Sequence, residues 1–188
     1  MNKRAWKIQA AWVGAFSGIL FFGMVPLLAR WERVFYQRSE PFFSCPLKAV
    51  SNTVRLRNDS YGSGRFGASR NGGRFHEGID LVTAIGEPVF SSKSGRVTWV
   101  TLAGENKGYG RYVELLHPDG YRTRYAHLSA IQVREGEWVV KNQMIGVSGK
   151  TGNADHASVT PHLHFEIRNK QTAVNPTNGL LDPSITIK

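Results

Sequence analysis

Glycine spacing constrains this chain more than any other feature of its sequence. Of the 20 glycines, 16 fall between Gly62 and Gly152, which leaves no apolar pattern of convincing helical length there. Between them lie short β-rich runs at 87–90, 95–100, 111–116 and 122–125. Short strands separated by turn signals at this spacing predict an all-β domain, a folded antiparallel sheet or sandwich. The turns are explicit in Asn71-Gly72-Gly73 and His117-Pro118-Asp119-Gly120, where glycine can take positive φ. At 188 residues the chain has room for one ordinary domain and not two. A single cysteine, Cys45, excludes a disulfide framework and a Cys-rich zinc module, so any metal must be held by His and carboxylates.

The N-terminal part reads differently. Residues 10–29 are apolar and uncharged, and about 20 such residues span the roughly 30 Å hydrocarbon core of a bilayer. Gly14, Gly18, Gly23 and Pro26 are tolerated in such a helix, and Trp6, Trp12 and Trp31 lie near its ends, where amphipathic rings favour the interface. Lys3, Arg4 and Lys7 precede it, whereas Arg30, Glu32 and Arg33 follow, a bias that places the N-terminus in the cytoplasm. The competing readings are a cleaved signal peptide, which the length of the run and the poor Leu27-Leu28-Ala29 cleavage site disfavour, and a buried soluble helix, which lacks a polar face. The expected organisation is a cytoplasmic tail (1–9), a transmembrane anchor (10–29), a loosely packed stalk (30–57), a catalytic domain (58–175) and a C-terminal tail (176–188).

Chemistry concentrates in two histidine motifs. In His76-Glu77-Gly78-Ile79-Asp80, an extended backbone turns His76 and Asp80 to one side, with Gly78 clearing the space between them. In Pro161-His162-Leu163-His164-Phe165-Glu166-Ile167, strict alternation puts His162, His164 and Glu166 on one face of a strand and Leu163, Phe165 and Ile167 on the other. Hydrolytic zinc takes three protein ligands and leaves a position for water. His76, Asp80 and His164 would supply that set. His127, in Tyr125-Ala126-His127-Leu128, follows a predicted strand and would accompany His162 as a second imidazole that binds no metal. Such a pair can move a proton and stabilise an oxyanion. Two His and one carboxylate also suit non-haem iron. Taken singly, each motif more often has a structural explanation; His117 reads as structural, His156 as solvated, and Cys45 as an unpaired thiol.

Taken together and in order, these motifs resemble the lysostaphin/LytM-type zinc metalloendopeptidases that cut peptidoglycan cross-bridges. The resemblance runs from about Asn58 to Asn175. It rests on His76-x-Gly78-x-Asp80, Gly86-x-Pro88-Val89, Gly95-x-Val97, Gly108-Tyr109-Gly110, Tyr125-Ala126-His127-Leu128, Gly146-x-x-Gly149-x-Thr151-Gly152 and Pro161-His162-Leu163-His164-Phe165-Glu166. It implies the family's all-β domain, an antiparallel folded sheet or sandwich with a duplicated hybrid motif. It also implies one Zn2+ held by His76, Asp80 and His164, with His127 and His162 as catalytic histidines. One departure stands out: eight residues, 153–160, separate Gly152 from Pro161, where the common pattern has about four.

The function expected from these readings is a membrane-anchored zinc endopeptidase acting on the stem peptides or cross-bridges of peptidoglycan. Its domain would be periplasmic or otherwise extracytoplasmic. The alternative is a non-catalytic wall-binding or regulatory module, which a damaged ligand set would signal. The 24 Lys and Arg against 14 Asp and Glu, a formal +10, also raise nucleic acid as a partner. Export of the domain argues against that and favours an anionic wall or membrane surface.

Overall fold

The computed structural model describes residues 30–31, 33–48, 52–70, 72–101 and 107–188. The predicted anchor at 10–29 lies outside the described residues; among them, no helix is long and apolar enough to cross a membrane. The chain divides into two compact units, Met1–Ser39 and Glu40–Lys188. In the first, residues 30–31 and 33–39 are helical, with Ser39 Oγ donating to the Phe35 carbonyl at 3.0 Å. The sequence reading gave this segment to the stalk and not to a helix, because its aromatic and charged residues lack an amphipathic period.

Among the described residues, the regular elements of the second unit are, apart from a 3-10 turn at Gly152–Ala154, strands. In chain order they are β1 (Thr53–Val54), β2 (Asn58–Asp59), β3 (Gly62–Ser63), β4 (Ser69–Arg70), β5 (Arg74–Phe75), β6 (Ile79–Val82), β7 (Pro88–Phe90) and β8 (Gly95–Thr101). There follow β9 (Arg111–Leu116), β10 (Tyr121–Ile131), β11 (Trp138–Val139), β12 (Met144–Ser148), β13 (His162–Asn169), β14 (Thr172–Val174) and β15 (Thr186–Ile187). Nine of them, β6 to β14, form one antiparallel sheet. The four β-rich runs read from the sequence coincide with β7, β8, β9 and the first half of β10.

The long strand β10 organises this sheet. β9 flanks it along one side. On the other, β13 pairs from Tyr121↔Asn169 to Ala126↔His164, and β12 takes over from Leu128↔Ser148 onward. The register against β9 shifts between Tyr125 and Leu128. A bulge kinks a strand and re-aims a side chain, and here it falls at His127, whose φ is +63°. Apolar residues from the alternate strand positions fill the core, with Ile79, Leu81, Leu115, Tyr125, Leu128, Leu163, Phe165 and Ile167 all buried. Each large aliphatic or aromatic side chain removed from water contributes about 1.5–3 kcal/mol.

The compact unit is wider than the 58–175 stretch. Phe43, Leu47 and Val54, from the segment read as stalk, belong to the core cluster, and Leu180, Leu181, Ile185 and Ile187 pack against it. β1 pairs in parallel with β15 through Thr53↔Thr186 and Val54↔Ile187.

Candidate metal centre

Each side chain of the candidate site is aimed by a specific element. Asp80 lies on β6 and His164 on β13, which are paired with Asp80 directly opposite His164. His76 lies three residues before β6 rather than within it, reaching the same place through an irregular turn held by its backbone N–H to the Ala68 carbonyl at 2.9 Å. Gly78 makes this approach possible. A β-carbon there would lie 2.5 Å from the Phe165 carbonyl, 2.9 Å from Glu166 Cγ and 3.0 Å from His164 Cε1. The space that Gly78 opens is therefore filled by β13 itself.

The three polar atoms meet closely. His76 Nε2 is 2.9 Å from Asp80 Oδ1, His164 Nδ1 is 2.9 Å from the same oxygen, and the two ring nitrogens are 3.0 Å apart. All three residues are buried. The nitrogen on the far side of each ring is already claimed: His76 Nδ1 by the Arg65 carbonyl at 2.8 Å, and His164 Nε2 by Glu166 Oε1 at 3.0 Å. A carbonyl or carboxylate oxygen only accepts, so those nitrogens carry the N–H. The inward nitrogens, His76 Nε2 and His164 Nδ1, converge with Asp80 Oδ1 on one point, where they share protons with the carboxylate or, with both rings neutral, offer two lone pairs and a carboxylate oxygen to a cation. Ligand rings braced by outer acceptors in this way are the usual construction of a zinc site, so the donor set fits zinc.

The charges around the cluster match. Burial penalises the charge on Asp80, yet hydrogen bonds from His164 and His76 hold its carboxyl well below the ordinary value. Burial also opposes the charge on His164, but Asp80 and Glu166 on either side raise it to about 9. Glu166, fully buried, is lowered to about 2 against the cost of burial, with His164, Tyr109 and Arg124 favouring its charged form. Tyr109 Oη donates to Glu166 Oε1 at 2.6 Å, and Arg168 Nη1 donates to Oε2 at 2.7 Å.

His127 and His162 sit beside this cluster, with ring centroids 4.9 Å apart, and His127 is 5.8 Å from His164. His127 Nδ1 donates to the Thr151 carbonyl at 2.9 Å, and His162 Nδ1 donates to the Thr160 carbonyl at 2.7 Å. Each Nε2 therefore keeps its lone pair, and that of His162 lies 3.8 Å from Asp80 Oδ1. Burial first, then the neighbouring histidines, lowers His127 to about 3; burial likewise lowers His162. Both are neutral bases near pH 7.

All five residues singled out in the sequence thus come together. His127 lies inside β10, at its bulge, rather than after a strand. Glu77, between His76 and Gly78, is directed away from the cluster, paired with Arg168 at 2.9 Å. His117 is a buried structural residue between the Ser94 carbonyl at 3.0 Å and Thr123 Oγ1 at 2.8 Å. His156, read as solvated, is exposed but joins Tyr61 Oη at 2.9 Å. The sequence reading gave Arg57, Arg70 and Tyr109 no role at the site, although Tyr109 stands in the Gly108-Tyr109-Gly110 motif, because nothing in a lone Arg or Tyr marks it as a partner of a distant carboxylate.

Known proteins share part of this sequence and fold. The DD-carboxypeptidase/endopeptidase Mpg of Neisseria meningitidis serogroup B is 40% identical over 114 residues, 60% of this chain and 25% of that protein. The murein hydrolase activator NlpD of Escherichia coli is 37% identical over 115 residues, 61% of this chain and 28% of that protein. The chain thus spans about a quarter of the length of these relatives. Among solved structures, the catalytic domain of the antimicrobial peptidase lysostaphin from Staphylococcus simulans superposes with a TM-score of 0.52 at 36% identity, covering 66% of this chain and 92% of that one. The model of peptidase family M23, a family of zinc peptidases, matches residues 74–176, more than half of the chain, and the chain belongs to that family.

Proposed function

We propose that this protein is a zinc endopeptidase that hydrolyses peptide bonds in the stem or cross-bridge of peptidoglycan, tethered to a membrane by residues 10–29 with its β domain on the extracytoplasmic side. The observation that carries the reading is the undamaged set of His76, Asp80 and His164 with two neutral histidines beside it. When bound by that set, zinc supplies Lewis acidity toward the peptide carbonyl and activation of the attacking water. The chain's own residues do the rest. Asp80, held ionised, offsets part of the metal's charge, and Glu166 fixes the His164 ring. His162 and His127 present Nε2 lone pairs able to take the proton of the attacking water and return it to the leaving amine. Their N–H bonds to the Thr160 and Thr151 carbonyls keep those lone pairs turned inward. The resemblance to lysostaphin and to the endopeptidase Mpg supports the substrate class.

The kinship with NlpD favours a second reading, a wall-binding activator that does not cleave. Metal analysis of the detergent-solubilised chain and digestion of purified sacculi separate the two. The peptidase reading expects one zinc per chain and new peptide termini, both lost in His164→Ala. Sacculus binding without new termini, or full cleavage by His164→Ala, overturns it. Recovery of the chain in the soluble fraction after cell lysis overturns the anchor.

A further inference from the structure

The family match starts at residue 74, yet side chains that brace both halves of the site come from before it. Arg57, a buried arginine at 5% exposure, donates from Nε and Nη2 to Asp80 Oδ2 at 3.1 and 3.0 Å. The third edge of the same guanidinium, Nη1, donates to Asp59 Oδ1 at 2.7 Å. Asp59 Oδ1 also accepts from the Tyr61 N–H at 2.9 Å. Its other oxygen, Oδ2, accepts from the Thr160 N–H at 3.0 Å. The Thr160 carbonyl is the acceptor that holds His162 Nδ1–H at 2.7 Å. One unbroken chain of hydrogen bonds therefore runs Asp80, Arg57, Asp59, Thr160, His162.

We propose that Arg57 and Asp59 are positioning residues that lock the metal-binding Asp80 and the base His162 into one fixed relation, with Thr160 as the last link. This rests on the peptidase reading above, which assigns His162 its role. The physical need is local. Thr160 ends the eight-residue stretch 153–160, and a loop of that length does not fix its final peptide unaided. The loop is tied at His156 as well, where Tyr61 Oη meets Nε2 at 2.9 Å and Lys150 Nζ donates to the carbonyl at 2.8 Å. The planar, fixed fork of arginine serves two carboxylates at once, which a lysine ammonium does not reproduce. Sites are held in productive geometry by such outer partners.

The test is a double-mutant cycle on the full-length, zinc-loaded chain in detergent, with kcat and KM measured on a defined cross-linked wall peptide. Asp59→Ala is expected to lower kcat about 10–100-fold with little change in KM or in bound zinc. In a His162→Ala background the same substitution is expected to cost less than about threefold, because its effect passes through His162. Equal costs in the two backgrounds reduce Asp59 to a structural ion pair and overturn the proposal. An arm independent of turnover uses 15N NMR of the His162 ring. The wild type should show the Nδ1–H tautomer alone, and Asp59→Ala a mixture of both; an unchanged single tautomer overturns the proposal. If Asp59→Ala fails to fold, Asp59→Asn, which keeps one acceptor oxygen, replaces it in both arms with smaller changes expected in the same direction. A wild type that binds zinc and cleaves nothing overturns the peptidase reading, while the tautomer measurement still decides the positioning role.

Discussion

At the scale of single residues, burial makes the polar side chains of this protein consequential. Glu166 is fully buried and accepts from His164, Tyr109 and Arg168. Glu166→Gln removes its charge and puts an amide where acceptors are needed. The expected outcome is a zinc affinity lower by about 10–100-fold, read by competition with a chelator. His117 is remote from the metal centre and acts on stability. Burial, the largest influence, lowers it to about 4 despite the Ser94 carbonyl and the nearby Asp119 and Glu40; Lys93 adds to the lowering. An unfolded histidine titrates near 6.5, so between pH 6.5 and 4 the unfolded chain binds the extra proton. The stability contributed by burying neutral His117 is therefore full above about pH 6.5 and is lost as pH falls toward 4, by on the order of 3 kcal/mol. Urea unfolding midpoints across that window should show the decline, and His117→Asn should make it shallower, the remainder coming from His127, whose burial lowers it in the same direction. Some of this was legible beforehand. His76, Asp80, His127, His162 and His164 announce themselves by type and spacing; Arg57 and Arg70 do not, because their importance comes from contacts made only in the fold, with Asp80 Oδ2 for both and with Asp59 as well for Arg57.

At the scale of elements, β13 and β10 show how a strand serves two purposes. Alternation on β13 sends Leu163, Phe165 and Ile167 into the core while His162, His164 and Glu166 line the site, and both sets are buried. This was readable because the strand period is two. The bulge in β10 was not. Nothing in Tyr125-Ala126-His127-Leu128 distinguishes a regular strand from one that changes partners between Ala126 and Leu128. Positive φ at a residue with a side chain is sustained only where the surroundings enforce it, and here the enforcement is the handover from β13 to β12. The approach of the 76–78 turn to β13 is equally tight. Gly78→Ala would drive a methyl group against the Phe165 carbonyl. The expected result is a loss of about 1–3 kcal/mol in urea unfolding, together with weakened zinc binding as His76 is displaced.

At the scale of the whole molecule, the β unit closes with segments far apart in the sequence. β1 and β15 pair, the Leu56 N–H donates to the Lys188 carbonyl at 2.7 Å, and the Lys188 N–H donates to the Val54 carbonyl at 3.0 Å. Phe43 and Leu181 form a further parallel bridge. Removing residues 176–188 takes away Leu180, Leu181, Ile185 and Ile187 from the core's edge. At about 1 kcal/mol for each half-buried aliphatic, truncation after Asn175 should lower stability by on the order of 4 kcal/mol, measurable as a fall in the urea midpoint. A truncated chain that unfolds like the intact one would show that this closure is ornamental to the fold.

The class of fold, the positions of the principal strands and the five residues of the candidate centre were all readable from the amino-acid order. These follow from local rules: glycine ends elements, period-two alternation marks strands, and the donors that suit zinc are few. The features that emerged with the folded chain are non-local. The fold set which oxygen of Asp80 faces the histidines and which faces Arg57 and Arg70, and where β10 exchanges one partner for another. It also showed that Phe43, Leu47 and Val54 belong to the same core, with Leu180, Leu181, Ile185 and Ile187 packed against it. Each of these depends on groups brought together from distant parts of the chain, and no periodicity records a contact between residues whose separation is fixed only when the sheet closes.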